Sequence, residues 1–180
     1  MTTIPLLTPY SSLPSQNLHK NACILLVGAP DSGKRSFGSI LQSPNEFGLA
    51  LQLRLGKSLP LPEILAPRPH IDFIVLMLSM NNKESFHNLK KCLIEIDPEF
   101  LLGRTWIIAT NANKVSQYAF ERTELEECIN SLYDIPLFYV DFQNDGAGED
   151  LRDKLLRTVD IASGYHRNIT LSYLRTPLSG

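Results

Sequence analysis

Four short stretches of the chain are apolar at every position: Ala22–Val27, Phe73–Leu78, Trp106–Ala109 and Leu137–Val140. A strand buried on both faces has no polar side to show, so each reads as a strand inside a parallel sheet. Between them the spacing changes. Phe86, Leu89, Leu93 and Ile96 recur every three or four residues, the repeat of one helix face, and Pro98 is placed to close that helix. Leu125, Ile129 and Leu132 repeat the pattern behind Thr123-Glu-Leu-Glu126, which has the form of a capping box. Leu151, Leu155, Val159 and Ala162 mark a last helix. Glu149 and Asp150 suit its positive N-terminal end, and Gly164 is placed to stop it. One strand differs: Leu51, Leu53 and Leu55 alternate with Gln52, Arg54 and Gly56, the period of a strand open to solvent on one face, which suits a sheet edge.

Strands alternating with helices predict an α/β domain of three layers, a mostly parallel sheet with helices on both faces. Such sheets hold ligands beyond the carboxyl ends of their strands. The loops after Val27, Leu78, Ala109 and Val140 are therefore where chemistry would lie. Residues 1–20, rich in Pro, Ser and Thr, read as a loose lead-in, 21–165 as the domain and 166–180 as a C-terminal tail.

Composition narrows the function classes. At 43% hydrophobic and 20% charged, the 180 residues match an ordinary soluble domain with room for a core. A net charge of -2 offers no broad field for nucleic acid. Pro5, Pro9 and Pro14 interrupt the opening residues, which lack a basic start, so no secretory leader is expected. No apolar run approaches the ~20 residues of a membrane span. A soluble, intracellular protein follows, in which the sequon at Asn168-Ile-Thr170 has no role. Cys23, Cys92 and Cys128 are odd in number and lack CxxC spacing; they read as small buried hydrophobes. His19, His70, His87 and His166 show no metal or triad spacing.

Chemistry concentrates after the first strand, at Gly28-Ala-Pro-Asp-Ser-Gly33-Lys34-Arg35. This is the GxxxxGK of a phosphate loop in its required place between strand and helix. Its glycines let backbone N–H groups wrap a phosphate, and lysine and helix dipole meet the charge. The next position should carry a hydroxyl for Mg²⁺. Arg35 stands there instead, and Ser36, one residue late, is turned about 100° away around the helix. A guanidinium offers only donors; Arg35 either takes the place of the metal beside a phosphate or is a solvated first-turn arginine.

The remaining parts of a GTPase site are missing. No DxxG occurs between the loop and Asp72. The 45 residues from Gly28 to Phe73 are too few for two switches and two strands, so switch regions are shortened or absent. Asn111-Ala-Asn-Lys114 puts a cation where guanine recognition needs a carboxylate, and Val140-Asp141-Phe142 replaces the Ser-Ala-Lys loop. Together these losses argue against turnover and leave no catalytic residue and no metal site.

The chain is similar to the centromere protein M family, kinetochore components with a small-GTPase-like fold and no nucleotide chemistry. The likeness rests on Ile24-Leu-Leu-Val-Gly28, Lys57-Ser-Leu-Pro-Leu-Pro62, Arg68-Pro-His-Ile-Asp72, Asp97 with Phe100-Leu-Leu-Gly103, and Ile108-Ala-Thr110, covering roughly residues 22–115. It implies a non-catalytic pseudo-GTPase without cofactor in the nucleus, a scaffold subunit of the constitutive centromere-associated complex. It further implies centromere protein I as direct partner, with centromere proteins H and K, and no direct contact with nucleic acid, membrane or small-molecule substrate. Apolar residues outside the core pattern are the partner-binding candidates: Phe100, Leu101 and Leu102 after Pro98, and Leu171, Tyr173 and Leu174 beyond the last helix. One departure is the nearly complete GxxxxGK, which the family does not require. Gly28, Gly33, Lys34 and Arg35 therefore keep a second reading open, a nucleotide-binding switch or weak NTPase; direct nucleic-acid binding is a third.

Overall fold

The computed structural model describes residues 20–61, 70–131, 134–143 and 146–163. In chain order they form β1 (Lys20–Gly28), α1 (Lys34–Leu41), β2 (Leu49–Gly56), β3 (Phe73–Ser79), α2 (Lys83–Glu95), α3 (Pro98–Leu101), β4 (Thr105–Thr110), α4 (Arg122–Asn130), β5 (Leu137–Val140) and α5 (Ala147–Ala162). All five strands run parallel in one sheet, in the order β2-β1-β3-β4-β5. Residues 1–19, Leu132, Gly164 and the proposed tail 166–180 lie outside the described residues.

Side chains alternate across a strand, so each strand feeds two cores. Ile24, Leu26, Phe73, Val75 and Ile108 meet α1 and α5 through Phe37, Leu41, Leu151, Leu155 and Val159. On the other face Leu25, Leu76 and Ile107 meet α2, α3 and α4 through Phe86, Leu89, Leu93, Leu101, Leu125 and Ile129. Every residue of β3 and β4 is buried, as an unbroken apolar run requires. Each such side chain contributes about 1.5–3 kcal/mol of transfer free energy, which is why the runs set the fold.

Both edges obey a different rule. The alternating strand is β2, at one end of the sheet, with Leu49 buried, Leu51 and Leu53 half-buried, and Ala50 and Gln52 exposed. The opposite edge is β5, where only Val140 is buried. The fully apolar Leu137–Val140 is thus an edge strand, its Tyr139 hydroxyl donating to Glu126 at 2.9 Å from α4. Between α1 and β3 the described residues hold one strand, where a small GTPase has two.

Three expectations at helix ends need correction. Thr123 does not cap α4; the N-cap is Glu121, and the Thr123 hydroxyl donates to the Glu121 carboxylate at 3.2 Å. Pro98 does not close α2, which ends at Glu95. It is instead the first residue of α3, where its missing N–H costs nothing, and Asp97 caps that helix by accepting from Glu99 N at 3.0 Å. Phe100 and Leu101 therefore lie in a short helix, not in a linker.

Candidate functional site

The phosphate-loop sequence folds as a tight crossing from β1 to α1. Ser32 N and Ser32 Oγ both bond to the carbonyl of Ala29, at 3.1 and 2.8 Å, closing the turn. Gly33 follows with φ of +81°, the left-handed conformation that glycine adopts without strain, and α1 begins at Lys34. Thr110 at the end of β4 ties the turn to the sheet, its hydroxyl lying 3.3 Å from the carbonyl of Ser32 and 3.1 Å from that of Leu78.

Lys34 is the decisive side chain. It is only 7% exposed, and its Nζ donates to the carbonyl of Gly28 and, at 3.0 Å, to that of Gly56. The parallel register sets Val27 opposite Gly56, which brings the end of β2 beside the loop. Lys34 therefore bridges the carboxyl ends of two neighbouring strands. Two of the three N–H bonds of its ammonium are engaged by backbone. Burial, then the nearby charges of Lys57 and Arg35, hold its pKa below the ordinary lysine value. Arg35 itself is exposed on the first turn of α1, as is Ser36. Of the two roles open to Arg35, its position fits the solvated one.

The loops after β4 and β5 add two further contacts around this turn. Asn111 takes a left-handed φ of +57°, and its Nδ2 donates to Ser79 Oγ at 2.8 Å. Phe142 stacks on Phe37 with centroids 5.4 Å apart, and its ring lies 3.2 Å from where a Cβ on Gly33 would be. Sequence reasoning placed Phe142 as a replacement for the Ser-Ala-Lys loop but missed this packing. It also missed Thr110 and the Gly56 carbonyl. A signal existed for Gly56, since it ends the alternating strand; only the strand order shows that this end meets the loop.

Beside the loop, a cleft of about 370 Å³ separates Ala29–Asp31 from Lys57, Asn82, His87 and Lys91. Among the described residues no group of three His, Cys, Asp or Glu side chains converges as a metal-ligand set. The partner-binding candidates separate. Leu101 is 6% exposed and belongs to the core, which corrects its expected availability, and Phe100 packs against that core. Leu102 remains 50% exposed, and Ile94 at the end of α2 is 78% exposed. Leu171, Tyr173 and Leu174 lie outside the described residues.

A family model for Centromere protein M (CENP-M) matches residues 4–179. The chain belongs to the centromere protein M family. Human (Homo sapiens) centromere protein M is 30% identical over 174 residues, which cover 94% of this chain and 93% of the relative. The Bos taurus protein is 28% identical over 175 residues, covering 97% and 93%, and that of Xenopus laevis 25% over 173, covering 95% and 93%. The likeness read on residues 22–115 thus extends over nearly the whole chain, including the loop at Gly28–Lys34 and the exposed Leu102.

Proposed function

We propose that the chain is a non-catalytic pseudo-GTPase scaffold of the constitutive centromere-associated complex in the nucleus. It supports kinetochore assembly and chromosome segregation through protein contacts, with centromere protein I as direct partner alongside centromere proteins H and K. The observation that carries this reading is Lys34: the residue a phosphate would need is held by the carbonyls of Gly28 and Gly56. Family membership supplies the centromere, and the lost magnesium, switch and guanine positions speak against turnover.

The contact surface includes Ile94 and Leu102, large apolar groups left in solvent at the close of α2 and just after α3. Apolar anchors of this kind dominate binding when a partner desolvates them. Replacing either by glutamate is expected to weaken co-assembly with centromere proteins H, I and K by about tenfold, measured by titration against the reconstituted partners. Both side chains are already in water, so the urea midpoint of the free chain should stay within about 0.5 kcal/mol of the parent. Full affinity in both variants would remove this surface from the proposal.

The surviving loop geometry at Gly33 favours one second reading, a nucleotide-bound switch. Thermal unfolding with millimolar GDP, GTP or ATP, with and without Mg²⁺, separates the two. A ligand at 100 times its Kd adds about 2.7 kcal/mol, on the order of 5–10 °C here. The scaffold reading expects no shift, and a clear one would overturn its nucleotide-free form.

A further inference from the structure

We propose that the outer edge of β2 is a docking strand for an extended segment of a partner protein, one that seats a carboxylate side chain on Arg54. The inference rests on the scaffold reading and names one of its contacts. It begins with the sheet order. At eight residues β2 is a long edge strand, and it is paired only with β1 among the described residues. A long open edge presents a row of alternate N–H and C=O groups, and proteins ordinarily shorten, bulge or cover such edges. Between α1 and β3 the described residues hold no second strand to cover this edge.

The second observation is Arg54, the one charged residue of β2. Its Nε is buried without a hydrogen-bond partner, while the guanidinium is engaged elsewhere by a hydrogen bond with the Cys23 thiol on β1. An unsatisfied buried donor is costly and rare in native structures, and it marks a place where a partner is missing. Beside it lies a cleft of about 460 Å³ that Cys23, Gln52, His70 and Asp72 also line. Asp72 does not supply the missing acceptor. Its Oδ2 accepts from Cys23 N at 2.8 Å and its Oδ1 pairs with His70 at 2.9 Å. The unsatisfied donor of the cleft, Arg54 Nε, is therefore cationic, and a guanidinium matches a carboxylate in charge and in the spacing of its donors.

A free anion would satisfy Arg54 alone. The strand presents more than that. On the face opposite Arg54, Leu55 is 55% exposed, and Leu53 is half-buried. A segment paired on the edge, with an acidic residue on one face and an apolar neighbour on the other, meets Arg54, Leu55 and the backbone row together.

Hydrogen–deuterium exchange on the full chain, alone and assembled with centromere proteins H, I and K, tests this, together with Arg54→Glu and Arg54→Lys. Alternate amides of residues 49–56 should exchange fast in the free chain and slow by about tenfold or more in the assembly. Arg54→Glu should weaken assembly about tenfold, with Arg54→Lys recovering part of the loss. Assembly at full affinity with β2 exchange unchanged would overturn the edge proposal and leave the scaffold reading standing. Failure of the parent chain to assemble would overturn both. If the β2 amides are protected in the free chain and become exposed on deleting residues 1–19, the occupant is the chain's own N-terminal segment and the partner proposal falls. Should Arg54→Glu fail to fold, the exchange pattern of the parent chain still decides.

Discussion

Gly28→Ala is expected to destabilise the domain by about 3 kcal/mol, the upper end of the usual cost of overpacking, because the atoms it meets cannot yield. A Cβ at this position would stand 2.2 Å from the carbonyl oxygen of Met77 and 2.6 Å from Ser32 Oγ. Neither neighbour can step aside. Met77 lies in β3, in register with Gly28 at the centre of the sheet, and Ser32 Oγ is held to the Ala29 carbonyl. The first glycine of a phosphate loop is ordinarily explained by the approach of a ligand. In this chain the approach of β3 already excludes a side chain, so the glycine would be required with no ligand at all.

Gly38→Ala is the matched control. It lies inside α1, and a Cβ there would meet Leu26 Cδ1 at 3.8 Å, an ordinary contact. Removing a helix glycine should stabilise by about 0.5–1 kcal/mol, opposite in sign to the first variant. Urea unfolding followed by circular dichroism gives both midpoints. A Gly28→Ala protein within about 1 kcal/mol of the parent would mean that the loop does not press on β3 as described.

What was legible in the sequence follows from which forces are local. The runs at Ala22–Val27, Phe73–Leu78 and Trp106–Ala109 announced their strands because burial on both faces leaves no choice of side chain. Leu51, Leu53 and Leu55 announced an edge for the converse reason. Leu137–Val140 misled, because half-exposed aromatic residues look the same in sequence as buried ones; Tyr139 is held by Glu126 and lies under Arg122, contacts made by another element. The capping box at Thr123 failed because a side chain has several local acceptors, and Thr123 found Glu121. Leu101 could not be told from Leu102 by pattern, since a helix of four residues carries too little periodicity to point one inward.

The site shows the same division. Gly33 and Lys34 were legible as a loop because a motif is local. What Lys34 does was not, since its second acceptor, Gly56, lies 22 residues away and reaches it only through the parallel pairing of β1 with β2. Arg54 was counted only as the polar half of an alternating strand. Its unpaired Nε depends on which strand lies beside it and on Asp72 being engaged elsewhere.

The use of Lys34 is open to direct measurement. Lys34→Ala should cost about 2 kcal/mol, since hydrogen bonds to a charged group are each worth roughly 1.5–3 kcal/mol and relief of the buried charge returns part of the loss. For a chain of this size that lowers the melting temperature by about 4–8 °C. The pH dependence has a definite sign. The pKa of Lys34 is lowered in the folded state, by burial first and by Lys57 and Arg35 next, so the unfolded chain holds the proton to higher pH. Stability from this group therefore rises as pH climbs through the folded pKa toward the ordinary lysine value, and is flat below that window. The gap between parent and Lys34→Ala should widen in the alkaline range and stay constant near neutrality. A lysine that serves a phosphate predicts the reverse priorities: little change in the stability of the free protein, and loss of a nucleotide-dependent shift. Parent and variant melted side by side, with and without GTP and Mg²⁺, distinguish a lysine that holds β1 to β2 from one that waits for a ligand.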